Sequence, residues 1–179
     1  MSENDKPSSP VINLADVPLF ELRQGEAYAA KLGRIAPLIG STGLGCMLTI
    51  VPPGKRAFPF HHHHLTHEMF FIVEGQGEYR FGSQTFPVKP GDVLAAPAGS
   101  AGEAHQIINT GESELRYLAL STNPGPQPEV VEYPDSRKFL VYGGAVDGSP
   151  MTAPFRFIGR HDGAVDYWDG EGQPANKDS

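Results

Sequence analysis

Five of the seven histidines fall between His61 and His67, directly before Glu68. Crowding imidazoles into one short segment brings no packing advantage, whereas imidazoles beside a carboxylate are the donor set of a divalent metal site. On a strand, residues two apart share a face, roughly 7 Å between Cα atoms. His61 and His63 therefore form one pair, and His62 and His64 the opposed one. Glu68 opens the next apolar run and shares its face with Phe70 and Ile72. His105 opens a distant run and shares its face with Ile107 and Asn109. A barrel gathers such inward positions, and three neutral imidazoles with one carboxylate leave open coordination positions on a first-row divalent ion.

The elements that must position these groups read as short strands. Leu44–Val51 is apolar and stops at Pro52-Pro53-Gly54; Ala57–His63, Met69–Glu74, Tyr79–Phe81, Gln84–Val88, Val93–Ala96, His105–Asn109 and Leu115–Ser121 follow. Gly82-Ser83 suits a type II′ hairpin, and Lys89-Pro90-Gly91-Asp92 a type II turn. Turns spaced by about eight to twelve residues are the signature of an all-β sandwich or barrel. Val11–Gly33 holds the one plausible short helix, around Glu26–Leu32. Beyond a Pro-rich linker after Asn123, Glu129–Tyr133 and Lys138–Tyr142 read as edge strands. Met1–Pro10 and Gly170–Ser179 are polar and read as loose ends.

The chain resembles the cupin superfamily. That family's first motif, G(X)5HXH(X)3,4E(X)6G, is matched by Gly54, His61, His63, Glu68 and Gly75, with six residues rather than five between Gly54 and His61. Its second, G(X)5PXG(X)2H(X)3N, is matched by Gly91, Pro97, Gly99, His105 and Asn109, with five residues rather than two before His105. His62 and His64, three residues from Glu68, also satisfy the first motif. The stretch Pro59-Phe60-His61-His62-His63 looks like the Pro-x-His-x-His run of many cupins, which favours His61 and His63.

The resemblance implies a double-stranded β-helix, or jelly-roll barrel, over residues 43–123, with an N-terminal arm (1–42) and a C-terminal extension (124–179) packing on it. It implies one divalent metal ion (Zn, Fe, Mn or Ni) held by His61, His63, Glu68 and His105. The expected function is a small metal-dependent enzyme of dioxygenase, isomerase or lyase type acting on a small polar or carboxylated molecule. The alternative is a non-catalytic binder with a metal-anchored pocket. Glu103, Tyr79 and Tyr117 are the candidates for proton transfer. The lengthened loop Gly99–His105, rich in small residues, is expected to gate the site.

The formal net charge of −7 and the absence of a basic stripe argue against nucleic acid. No apolar stretch approaches the ~20 residues of a membrane span, so no membrane partner is expected and the cytoplasm is the default compartment. Cys46 lies in the Leu44–Val51 run and reads as a buried structural thiol. His67 points away from the Glu68 face, and lone His161 receives no role. Asp166-Tyr167-Trp168-Asp169-Gly170 reads as a docking tail. Apolar flanks around a small barrel suggest a homodimer in which they cover a partner's sheet edges.

Overall fold

A computed structural model describes residues 9–123, 125, 127–144 and 153–172. Its strands are β1 (Phe20–Gln24), β2 (Tyr28–Arg34), β3 (Leu44–Val51), β4 (His62–His63), β5 (Glu68–Glu74), β6 (Gly77–Phe81), β7 (Gln84–Val88), β8 (Val93–Ala96), β9 (His105–Ile108), β10 (Leu115–Thr122), β11 (Glu129–Tyr133), β12 (Lys138–Gly143) and β13 (Phe155–Arg160). They form a six-stranded sheet β1-β2-β3-β10-β5-β8, a four-stranded sheet β13-β12-β11-β4 and a three-stranded sheet β7-β6-β9. Isolated bridges Arg56↔Ile108 and His61↔His105 tie the segment before β4 to β9.

The period-2 pattern of β3 explains how one strand serves two cores. Val51, with Met47 packed against the same cluster, faces the barrel interior shared with Phe70, Ile72, Ile107 and Leu115. Leu48 and Ile50 face outward, where Val17 and Ile35 cover them and half-buried Cys46 packs at the margin. Both turn expectations fit the backbone. Gly82 has φ +54° between the pair Phe81↔Gln84, and Gly91 has φ +91° with the Asp92 N–H donating to the Lys89 carbonyl.

Two expectations need correction, and one strand was not foreseen. The helix around Glu26–Leu32 is instead the β1–β2 hairpin. Both edges of β2 are hydrogen-bonded, to β1 and β3, and this pairing overrides the local helical preference of Ala and Leu. The expected strand Ala57–His63 shrinks to His62–His63, since Pro59 has no N–H to donate to a ladder. β13, which was not expected, extends the outer sheet through β12. Both arms therefore pair with strands of their own chain, β2 on β3 and β11 on β4. The expected loose termini lie mostly outside the described residues, and Tyr167 and Trp168 are exposed.

Asn109 is fully buried where β3, β9 and β10 converge. Its amide donates to the Val51 and Ser113 carbonyls, both at 2.8 Å, and its Oδ1 accepts from the Gly111 N–H at 2.9 Å. Asn109→Ala would strand the buried Val51 carbonyl and leave the Ser113 carbonyl and the Gly111 N–H, both nearer solvent, without their partner. The expected cost is about 3 kcal/mol, or a Tm fall of roughly 6 to 12 °C, measured by thermal denaturation. An unchanged Tm would show that these bonds do not tie the strands together.

Candidate metal centre

β4, β5 and β9 bring His61, His63, Glu68 and His105 to one mouth of the barrel. The Glu68 Oε2 lies 3.0 Å from His105 Nε2, 3.4 Å from His63 Nε2 and 3.9 Å from His61 Nε2. Donor atoms of His61, Glu68 and His105 all lie within 4.8 Å of one another, and His63 joins them through Glu68. The cluster is largely shielded: side-chain exposures run from 3 % at His105 to 17 % at Glu68.

The imidazoles are oriented from behind. His61 Nδ1 lies 2.8 Å from the Pro59 carbonyl and His105 Nδ1 3.2 Å from the Glu103 carbonyl. A carbonyl oxygen can only accept, so Nδ1 carries a proton in both rings, which leaves Nε2 as the nitrogen turned towards Glu68 and the one a metal ion would take. Behind His63 stands a carboxylate, with Glu129 Oε2 3.7 Å from Nδ1, an ion-pair distance too long for a hydrogen bond. Backing of this kind is how metal-ligating histidines are held. The donor set therefore fits a first-row divalent ion.

Burial and the two carboxylates, Glu68 and Glu129, set the electrostatics of the cluster. Burial, reinforced by nearby His105, pushes His61 far below the usual imidazole range. Burial would also lower His63, but the carboxylates of Glu129 and Glu68 outweigh it and raise the ring to about 9. Burial would raise Glu68, but His105 and His63 hold it well below the carboxylate range.

His62 and His64 lie on the other face, near Glu132, and do not join the Glu68 cluster. His67 accepts at Nδ1 from the Ala98 N–H, 3.3 Å away. Glu103 does not face the cluster. It closes a capping box at Ala101–Glu103, where its carboxylate accepts from the Ser100 N–H at 2.7 Å and the Ser100 hydroxyl at 3.0 Å. The Gly99–His105 loop, expected from its small residues to act as a gate, is anchored by Glu103. Tyr79 gives its hydroxyl to the Ala95 carbonyl at 2.9 Å. Tyr117 lines a cavity of about 150 Å³ beside Glu68, with Met47, Phe58, His61, Phe70, His105 and Gln106.

Sequence reasoning missed Glu129, which is fully buried. It accepts from the backbone N–H groups of His64, Leu65, Thr66 and Val130 and from the Thr66 hydroxyl, at 2.6 to 3.1 Å. The available signal was its parity with buried Val131 on β11, which puts a carboxylate on an inward face.

Residues 47–121 match the family model described as Cupin domain, and the all-β architecture fits a cupin barrel. The chain is 34% identical over 70 residues to an oxalate-binding protein of Thermotoga maritima, covering 39% of this chain and 54% of that one. It spans little more than half the length of the curated relatives it matches. A sugar phosphate isomerase of Silicibacter pomeroyi superposes with a TM-score of 0.71 at 21% identity, over 89% of this chain and 98% of that one. A protein of Acidithiobacillus ferrooxidans, crystallised as a candidate sugar phosphate isomerase, gives 0.73 at 20% identity, over 88% and 96%. At these identities the structural likeness shows the fold alone. Among the described residues, no helix is long and apolar enough to cross a membrane.

Glu129→Ala would leave four donors without their acceptor, the N–H groups of Leu65, Thr66 and Val130 and the Thr66 hydroxyl, while the His64 N–H keeps the Val130 carbonyl. A stability loss of about 3 to 5 kcal/mol by denaturant titration is expected; a loss under about 0.5 kcal/mol, the level of an ordinary surface change, would refute it. Burial would raise the Glu129 carboxyl, but His63 and Thr66 hold it at about 2. Because an unfolded Glu titrates near about 4.3, this contribution is complete above that pH and is lost as pH falls towards 2.

Proposed function

We propose that the barrel holds one divalent metal ion through His61, His63, Glu68 and His105 and uses it to act on a small carboxylated molecule. The observation that carries this reading is the convergence of three Nε2 atoms on one Glu68 oxygen, with His61 and His105 held at Nδ1 by backbone carbonyls and His63 Nδ1 facing the Glu129 carboxylate. The ion would supply Lewis-acid polarisation of oxygen atoms presented to it. His61, His63, Glu68 and His105 would fill part of its coordination sphere and leave the cavity side open. With the share of liquid volume that water takes, about 30 Å³, the cavity has room for about five waters, which suits a molecule of a few heavy atoms.

The cavity also separates substrate classes. The residues around this cavity include no Lys or Arg. Lys and Arg are the usual partners of carboxylates and phosphates alike, so an anionic group here would be met by the ion itself, and the small cavity volume favours a small carboxylate over a bulkier sugar phosphate. The oxalate-binding relative agrees in kind. Phe58 and Phe70 exclude water, and Tyr117 is the one sequence-selected proton-transfer candidate that lines the cavity.

A second reading, a binder without turnover, has its own support. Burial pushes the Tyr117 phenol above its usual value, so at neutral pH it donates a hydrogen bond but does not accept a proton as a base. The two readings part on Tyr117→Phe. If the protein is an enzyme, turnover of a small carboxylate falls about 100-fold or more while metal content stays the same. If it is a binder, calorimetry shows oxalate-class binding and no turnover in the parent.

The metal assignment is tested by elemental analysis after dialysis against a weak chelator. His61→Ala, His63→Ala, Glu68→Gln and His105→Ala are each expected to lose the barrel ion, and His67→Ala to keep it. Retention by the first four would overturn the assignment. A homodimer is also proposed. Met69, Phe71 and Val93 are exposed on the outer face of β5 and β8, where Phe71 pairs with Val93 at the sheet edge. A dimer would cover this row; light scattering giving a monomer mass at micromolar concentration would contradict it.

A further inference from the structure

We propose a second divalent-metal site on the opposite face of β4, built from His62, His64 and Glu132, with His161 completing it, and suited to a late first-row ion such as Zn2+. The alternation that sends His61 and His63 inward sends His62 and His64 outward. There the rings stack with centroids 5.4 Å apart and planes 13° from parallel. The register Glu132↔His62 between β11 and β4 puts a carboxylate on that same face. A ring nitrogen of His62, one of His64 and a Glu132 oxygen all lie within 4.8 Å of one another.

The distances match a metal site as well as an ion pair. His64 Nε2 is 2.8 Å from Glu132 Oε1, and His161 Nε2 is 3.4 Å from Glu132 Oε2. Ligand atoms about 2.0 to 2.1 Å from a tetrahedral ion stand roughly 3.3 Å apart. His161 arrives at the end of β13, held by ring contact with Phe139, the residue paired with Glu132, at 5.1 Å. Three strands of the outer sheet thus deliver the donor set.

An ordinary surface ion pair accounts for His64 and Glu132 but not for His62. That residue is 2 % exposed, and its Nδ1 is buried with no hydrogen-bond partner. A buried orphaned ring nitrogen is costly unless something binds it. Imidazole-rich sets favour Zn2+, Ni2+ and Cu2+ over Mg2+ or Ca2+. Such an ion would staple the two-residue β4 to β11 from outside.

The site is separate from the barrel cluster, so the two assignments can fail independently. The probe is Zn2+ in equilibrium dialysis with elemental analysis, on the full chain. His64→Ala and Glu132→Gln are made both in the parent and in a Glu68→Gln/His105→Ala background. His64 is exposed and the Glu132 side chain is about one-third exposed, which keeps folding out of the result. The expected outcome is loss of one Zn2+ per chain in both backgrounds, together with a Zn2+-dependent rise in Tm that Glu132→Gln abolishes. If the Zn2+ count in both backgrounds is unchanged by His64→Ala and Glu132→Gln, the second site does not exist, whatever the barrel ion does.

Discussion

The register of a two-residue strand decides the chemistry of this protein. β4 holds only His62 and His63, yet four consecutive histidines pass through it, and a slip of one position would exchange every inward ring for an outward one. Two backbone pairings to β11 are too few to fix that register. The buried carboxylate of Glu129 supplies the rest, gathering the N–H groups of His64, Leu65 and Thr66 at the strand's exit. At the entrance, His61 exchanges backbone hydrogen bonds with His105 in both directions. The site is thus clamped from the C-terminal extension on one side and from β9 on the other.

This clamp links parts of the chain that are far apart in sequence. Glu129 lies 65 residues beyond His64, so the barrel mouth is completed by a segment outside the matched cupin region. Arg80 adds a second tie, forming a bidentate pair with Asp135 at 2.6 and 3.0 Å while lying over the Phe60 ring. Half-exposed, that pair contributes little by itself, but it seats the turn after β11 against β6. The C-terminal extension therefore acts as part of the wall that orients His63.

Much of the barrel was legible because its cues are local. The apolar run Leu44–Val51, the Gly82-Ser83 and Lys89–Asp92 turns and the parity of Glu68 and His105 depend on neighbours a few residues away. The hairpin at Tyr28–Arg34 was not legible, since only pairing on both edges makes those Ala and Leu residues a strand. Glu103 misled for a similar reason: small residues around it suggested a loose loop, and the capping box that anchors it is a matter of three-dimensional closure. Glu129 and His161 lacked any local signal of partnership, because the groups they meet come from other strands.

Anomalous diffraction from crystals grown with Co2+, measured on either side of the cobalt edge, tests the central assignment most directly. A peak about 2.0 to 2.3 Å from Nε2 of His61, His63 and His105 and from the Glu68 carboxylate is predicted. A barrel mouth without a peak in protein that binds cobalt elsewhere, or a peak ligated by the outward histidines in place of these four, would contradict it.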